Sequence, residues 1–164
     1  MKIAIAGSGA LGCGFGAKLF QQGFDVTLID SWMTHVKAIQ TNGLHIDING
    51  ERCHLDIPMY SHEDIPNNDV YDIVFLFPKS MQLKDVLDYI KPHLSETSIV
   101  VCTMNGLKHE RLIEQYVKTS QIVRGVTTWT AGIKSPGCTH LMGSGPVEVG
   151  GLVPEGMDLS LIHI

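Results

Sequence analysis

The chain has 164 residues, room for one globular domain or two very small ones. Hydrophobic residues make up 44% and charged residues 18%, a balance that supplies a core and excludes a disordered chain. Twelve basic against seventeen acidic residues give a net charge of -5, which argues against a nucleic-acid surface, since phosphate binding runs on excess Lys and Arg. No apolar run approaches the roughly 20 residues needed to span a bilayer, so no membrane partner is expected. Glycine, 17 of the residues, is the outlier, at roughly one in ten against a usual frequency of about 7%.

In chain order, Lys2–Ala6 is a short apolar run ending at glycine, which predicts a buried strand. Ala10–Gln22 carries Leu11, Phe15, Leu19 and Phe20 near helical spacing, with Gly23 as its C-terminal cap. Asp25–Ile29 is a second strand. Trp32–Gln40 reads as a helix with Trp32, Val36 and Ile39 on one face. Leu44–Ile48 and Arg52–Ile57 alternate around Asn49-Gly50, the strongest short-range hairpin signal. Tyr71–Phe77 is almost wholly apolar, as a central parallel strand requires. Met81–Ile90 is an amphipathic helix stopped before Pro92, and Ser98–Thr103 is another buried strand. Asn105-Gly106 leads into a helix over Lys108–Tyr116, and Gln121–Thr128 is strand-like. Thr139–Met142 and Val147–Val149 read as a last pair of strands around Gly143–Pro146. The alternation predicts an α/β fold of the doubly wound Rossmann type, mostly parallel, with a small hairpin excursion.

The N-terminus is read as structural. Its ALGC tetrad loosely resembles a lipoprotein cleavage site, but the apolar run before Gly7 is shorter than the 7–15 residues of a signal core. A cytoplasmic location follows, and with it reduced thiols at Cys13, Cys53, Cys102 and Cys138. Neither these cysteines nor the eight scattered histidines have zinc-ligand spacing, so no metal site is expected.

Gly7-Ser8-Gly9-Ala10-Leu11-Gly12 is a G-x-G-x-x-G hexapeptide. It follows a predicted strand, opens a predicted helix, and has Asp30 at the end of the next strand at the usual distance of about 20 residues. Gly7 permits the tight turn, Gly9 lets a diphosphate approach the backbone, and Gly12 lets helix and strand pack closely. The free N–H groups and dipole of the helix start then attract the diphosphate, and Asp30 accepts from the ribose hydroxyls. The alternative is a plain strand–turn–helix with incidental glycines. A carboxylate here repels a 2′-phosphate, which favours NAD over NADP, unless Ser31 or Lys37 accommodates the phosphate.

Three further segments end predicted strands, where open α/β sheets bind ligands. Phe77-Pro78-Lys79-Ser80 offers Lys79 for a phosphate or carboxylate, or is a solvated loop. Asn105-Gly106 offers an amide to a nicotinamide or substrate carbonyl, or only makes a turn. Thr127–Gly132 lines the same crevice, or reflects β propensity alone. Trp32 and Trp129 both fall near this predicted cleft.

The set MKIAIAGSGALG, the Lys79 of FPKSMQ, MNGL, GVTTWTAG and the later VEVGG resembles the ketopantoate reductase family over roughly residues 1–153. The resemblance implies reduction of a branched 2-oxo acid, 2-dehydropantoate, to D-pantoate on the route to pantothenate, usually with NADPH. It places Gly7–Gly12 on the pyrophosphate, Lys79 beside cofactor and substrate, Asn105 against both, and Ala131 at the nicotinamide end. NADPH-using members carry Arg where this chain has Ser31 after Asp30. That departure fits NAD-dependent D-2-hydroxyacid dehydrogenases of the D-mandelate type. The family's second, helical domain supplies the general-acid lysine, and residues 154–164 are too few to form it. The chain is therefore expected to be a fragment that binds cofactor without turnover, its last residues the start of a linker or a truncated tail. A homodimer of the full-length enzyme is left open. The reading from another class is a non-catalytic dinucleotide-binding sensor module.

Overall fold

The computed structural model describes residues 1–152 except 107 and 144. Short apolar runs alternate with helical segments as β1 (Lys2–Ala6), α1 (Ala10–Gln21), β2 (Asp25–Asp30), α2 (Met33–Asn42), β3 (Leu44–Ile48), β4 (Glu51–Leu55), β5 (Met59–Ser61) and β6 (Tyr71–Leu76). There follow α3 (Leu83–Ile90), β7 (Leu94–Cys102), α4 (Glu110–Ile113), β8 (Ile122–Thr127), β9 (Thr130–Ser135), β10 (Cys138–Met142) and β11 (Val147–Gly151).

Seven strands form a large sheet in the order β11-β8-β7-β6-β1-β2-β5. Its strands run parallel except for the antiparallel β11. Ile5 lies opposite Leu28 on one side and Phe75 on the other, so the apolar runs stack side chain beside side chain. Alternate residues serve opposite faces. Ile3, Ile5, Phe75, Val101 and Val123 pack with α1 and α2, whereas Ala4, Ala6, Val74, Leu76 and Val100 pack with Leu83, Val86, Leu87 and Ile90 of α3. This is the doubly wound α/β arrangement.

Over α1 lies a second, four-stranded sheet in the order β4-β3-β10-β9. Its β3–β4 hairpin turns at Asn49 (φ 53°) and Gly50 (φ 91°), the left-handed pair that a two-residue turn demands. The hairpin is thus half of a sheet, completed when β10 pairs parallel with β3 and antiparallel with β9. Leu44, Ile46, Ile48 and Leu141 of this sheet join the α1 core. α1 is therefore covered on both sides.

Several expectations are corrected. The buried face of α2 is His35, Val36 and Ile39, and Trp32 is the N-cap residue, 42% exposed. The strands expected over Thr139–Met142 and Val147–Val149 do not pair with each other: β10 belongs to the second sheet and β11 to the large one. Thr130–Gly132 starts the separate strand β9. The helix expected over Lys108–Tyr116 shrinks to Glu110–Ile113: at its start Gly106 (φ 121°) and Lys108 (φ 70°) keep the chain out of the helical region, and beyond Ile113 the chain continues as turns, with Gln115 N–H on the Leu112 carbonyl and Tyr116 N–H on that of Ile113. A single 3-10 turn, Ser80–Gln82, precedes α3 and leaves Met81 94% exposed. The four cysteines are free thiols. Among the described residues no helix is long and apolar enough to cross a membrane. The stretch expected to be a linker or tail, 154–164, lies outside the described residues.

Candidate dinucleotide site

The chain leaves β1 through Gly7, whose φ of 88° belongs to the left-handed region. A Cβ at Gly7 would also meet Pro78 N at 2.7 Å, so the position serves both the turn and the approach of the loop after β6. A Cβ at Gly12 would meet the Gly7 carbonyl oxygen at 2.5 Å and Ile5 at 3.2 Å, which is the close helix–strand packing expected of it. In front of Gly9 there is nothing within 4 Å. The three glycines thus do three jobs: a turn, an opening and a contact.

Ser8 faces inward. It is fully buried, its hydroxyl donates to the Ile5 carbonyl (2.7 Å) and accepts from Ile29 N–H (2.9 Å), and its own N–H donates to the Ile29 carbonyl. Ser8 therefore pins the turn to β1 and β2 and has no spare donor. The open donors are those of the start of α1, where no acidic side chain occupies the first turn to offset the dipole.

A cavity of about 990 Å³ opens at this turn, near the upper end of ligand-pocket sizes. Gly7, Gly9, Ala10, Asp30, Ser31 and Lys79 line it together. Asp30 Oδ1 accepts from Trp32 N–H at 2.8 Å, which fixes the carboxylate at the tip of β2. Lys79 is exposed and has no ion-pair partner among the described residues. Leu11 packs on the core and Gly12 on the turn, and neither lines the cavity.

Asn105 is not in this cavity. With Thr103 and Thr127 it lines a separate, smaller one of about 170 Å³ past the ends of β7 and β8, beside the Arg124–Glu110 pair (3.9 Å). Ala131 sits in β9 opposite Leu141 and packs against the core, while Ile133 of the same strand reaches the large cavity. Trp129 packs on Phe15 at 4.8 Å with its indole N–H on the Gly145 carbonyl (2.7 Å), so of the two tryptophans only Trp32 lines the cavity.

The sequence reading missed the far wall, made by His62, Asp85, Asp88 and Tyr89. His62 follows the three-residue β5, too short to give a periodic signal, and the others sit on α3, whose N-terminus follows the loop carrying Lys79. Burial, with the Asp30 charge, pushes the Tyr89 hydroxyl well above its usual range, so it stays a neutral phenol. Asp88 is held below the usual carboxylate range by hydrogen bonds from Lys84 (2.7 Å) and Tyr116 (2.6 Å). The lining carries three carboxylates against one lysine. The backbone opening at Gly9, the free helix start and the Asp30 carboxylate fit a dinucleotide. No group of three or more metal-ligating side chains occurs among the described residues.

The ketopantoate reductase PanE/ApbA family model matches residues 3–153. The 2-dehydropantoate 2-reductase of Lactococcus lactis is 44% identical over 155 residues, covering 93% of this chain and 49% of the relative. That of Pyrococcus abyssi is 32% identical over 159 residues, covering 96% and 50%. Among solved structures, a ternary complex of D-mandelate dehydrogenase with NADH and anilino(oxo)acetate superposes with a TM-score of 0.91 at 41% identity, covering 94% of this chain and 50% of that one. The chain thus spans about half the length of the curated relatives it matches. Turn, cavity and sequence agree, and the chain belongs to the ketopantoate reductase family.

Proposed function

We propose that the chain is the nicotinamide-dinucleotide-binding half of a 2-oxo acid reductase, acting on 2-dehydropantoate to give D-pantoate. The observation that carries this reading is the meeting of an open glycine turn, Asp30 and Lys79 in one cavity. The reduced nicotinamide supplies a hydride to the substrate's C2 carbonyl. In this reading the chain's own residues bind and orient. Gly9, Ala10 and Leu11 offer backbone N–H groups to the diphosphate, Gly7, Ser8 and Gly12 hold the turn in shape, and Asp30 with Ser31 receives the ribose. Lys79 neutralises a phosphate or the substrate carboxylate. Asn105, at the ends of β7 and β8, and Ala131, on β9, serve the nicotinamide and substrate end. The proton for the developing alkoxide is assigned to a lysine of the family's helical domain, and the described residues bind and orient.

We assign NAD as the preferred cofactor rather than NADP. Asp30, Asp85 and Asp88 line the cavity and Lys37 does not, so a 2′-phosphate finds carboxylates and no second lysine. The same observation favours a second reading, an NAD-dependent D-2-hydroxyacid dehydrogenase of the D-mandelate type. The test of the cofactor is titration of the chain with NADH and NADPH while following Trp32 emission. NADH is expected to bind more tightly, a preference for NADPH would overturn the assignment of NAD, and failure of both to bind would overturn the whole reading. Assay of the complete reading frame on 2-dehydropantoate and on aromatic 2-oxo acids separates the two reductases, and no turnover of either would favour the sensor module.

A further inference from the structure

His35 is fully buried yet holds a wall of the cavity it does not line. Its ring lies stacked against Trp32, with centroids 5.0 Å apart and planes 6° from parallel. Its Nδ1 accepts from the Gly137 N–H (3.1 Å) in the turn between β9 and β10. That leaves the proton of the neutral ring on Nε2, which faces Cys13 Sγ at 3.5 Å, and the Cys13 thiol donates to the Ser8 carbonyl at 3.1 Å. One imidazole therefore touches the aromatic wall, the second sheet and the underside of the glycine turn.

Resting on the dinucleotide reading above, we propose that His35 is a positioning residue: it props Trp32 as the stacking surface for the adenylate half of the ligand and ties that surface to the second sheet. Trp32 is 42% exposed, lines the cavity beside Asp30 and Ser31, and has the ring of His35 stacked on one face. An indole with one face covered by a buried ring is held in one orientation before the ligand arrives, which lowers the ordering cost of binding. Because a purine stacks on an aromatic face irrespective of its other contacts, the effect belongs to the adenylate half alone.

Calorimetric titration with ADP-ribose and, separately, with reduced nicotinamide mononucleotide tests this. Trp32→Ala removes an exposed side chain, so the fold persists, and it should weaken ADP-ribose about tenfold, the usual scale for one lost base–aromatic stack. His35→Ala should do nearly the same, His35→Phe should recover most of the loss by restoring a ring behind Trp32, and the mononucleotide should be unaffected throughout. The Trp32→Ala, His35→Ala double variant should be no weaker than Trp32→Ala alone, since both act through one surface. Additive losses, or unchanged ADP-ribose binding in both single variants, would overturn the proposal and leave the dinucleotide reading standing. Absence of ADP-ribose binding by the unmodified chain would overturn both.

Discussion

α1 and α3 lie on opposite faces of the same sheet and are built on opposite principles. α3 follows the usual rule: Leu83, Val86, Leu87 and Ile90 are buried, while Lys84, Asp85 and Asp88 face outward. α1 has no outer face, since β1 and β2 lie under it and β10 and β3 over it, and seven of its twelve residues are buried, three of them glycine. A Cβ at Gly16 would meet Leu28 of the large sheet at 2.5 Å, and one at Gly14 would meet Leu141 of the second sheet at 2.7 Å. A helix between two sheets needs small residues on both sides. The glycine excess therefore does more than make a ligand turn, as it also sets the thickness of this layer.

The contrast predicts opposite sensitivities. α3 should fail on losing volume: Leu87→Ala should cost about 2–5 kcal/mol by the transfer and cavity terms, read as a lower urea midpoint at unchanged slope. α1 should fail on gaining it. Gly14→Leu drives a side chain into Leu141, and the overpacking cost of about 1–3 kcal/mol should exceed the gain from replacing a helical glycine. If Gly14→Leu raised the midpoint instead, the second sheet would not be clamped on α1. A third test concerns the cavity that opens at the start of α1, which Asp30 lines from the end of β2. Asp30→Ala should weaken NADH by about tenfold, the scale of a lost charge-assisted hydrogen bond, and NADPH by less. The reverse order would mean that Asp30 does not meet the ribose.

The same contrast explains what could be read in the sequence. β1, the glycine turn, α1 and β2 are local and punctuated, so hydrophobic runs, glycines and Asp30 locate them to within a residue. The large sheet follows from its apolar runs for the same reason. The second sheet does not, because β10 finds β3 far along the chain and neither strand carries a mark of that pairing. Helical spacing puts Trp32 in line with Val36 and Ile39, and only the cap position turns it outward. His35 is the complementary case: a polar residue reads as surface unless its partners, Gly137 and Cys13, are known. Asn105 and Lys79 both end strands, yet the ends of β6 and β7 open into different cavities.

The smallest effect expected is a pH dependence seated on the α1 side of the sheet. Burial lowers the pKa of His35 from its ordinary value near 6.5, against the opposing pull of the Asp30 carboxylate and the Ser8 carbonyl. Its other neighbour, Cys13, contributes no charge, because burial pushes that thiol far up. A folded-state pKa below the unfolded one means that the unfolded chain takes up the proton first. Stability from His35 is thus complete above about pH 6.5 and is lost as the pH falls toward the folded value. Protonation would also give Nδ1 a hydrogen directed at the Gly137 N–H, turning an acceptor into a clash of donors. On the α3 side, among the described residues, burial pushes the Tyr71, Tyr89 and Cys102 groups up and so away from the acid range, while Lys84, Asp88 and Tyr116 form a surface cluster that salt should screen. Melting temperatures of the chain and of His35→Phe should therefore diverge at neutral pH and converge as the pH falls below about 6.5. Parallel curves below that pH would place the acid sensitivity elsewhere.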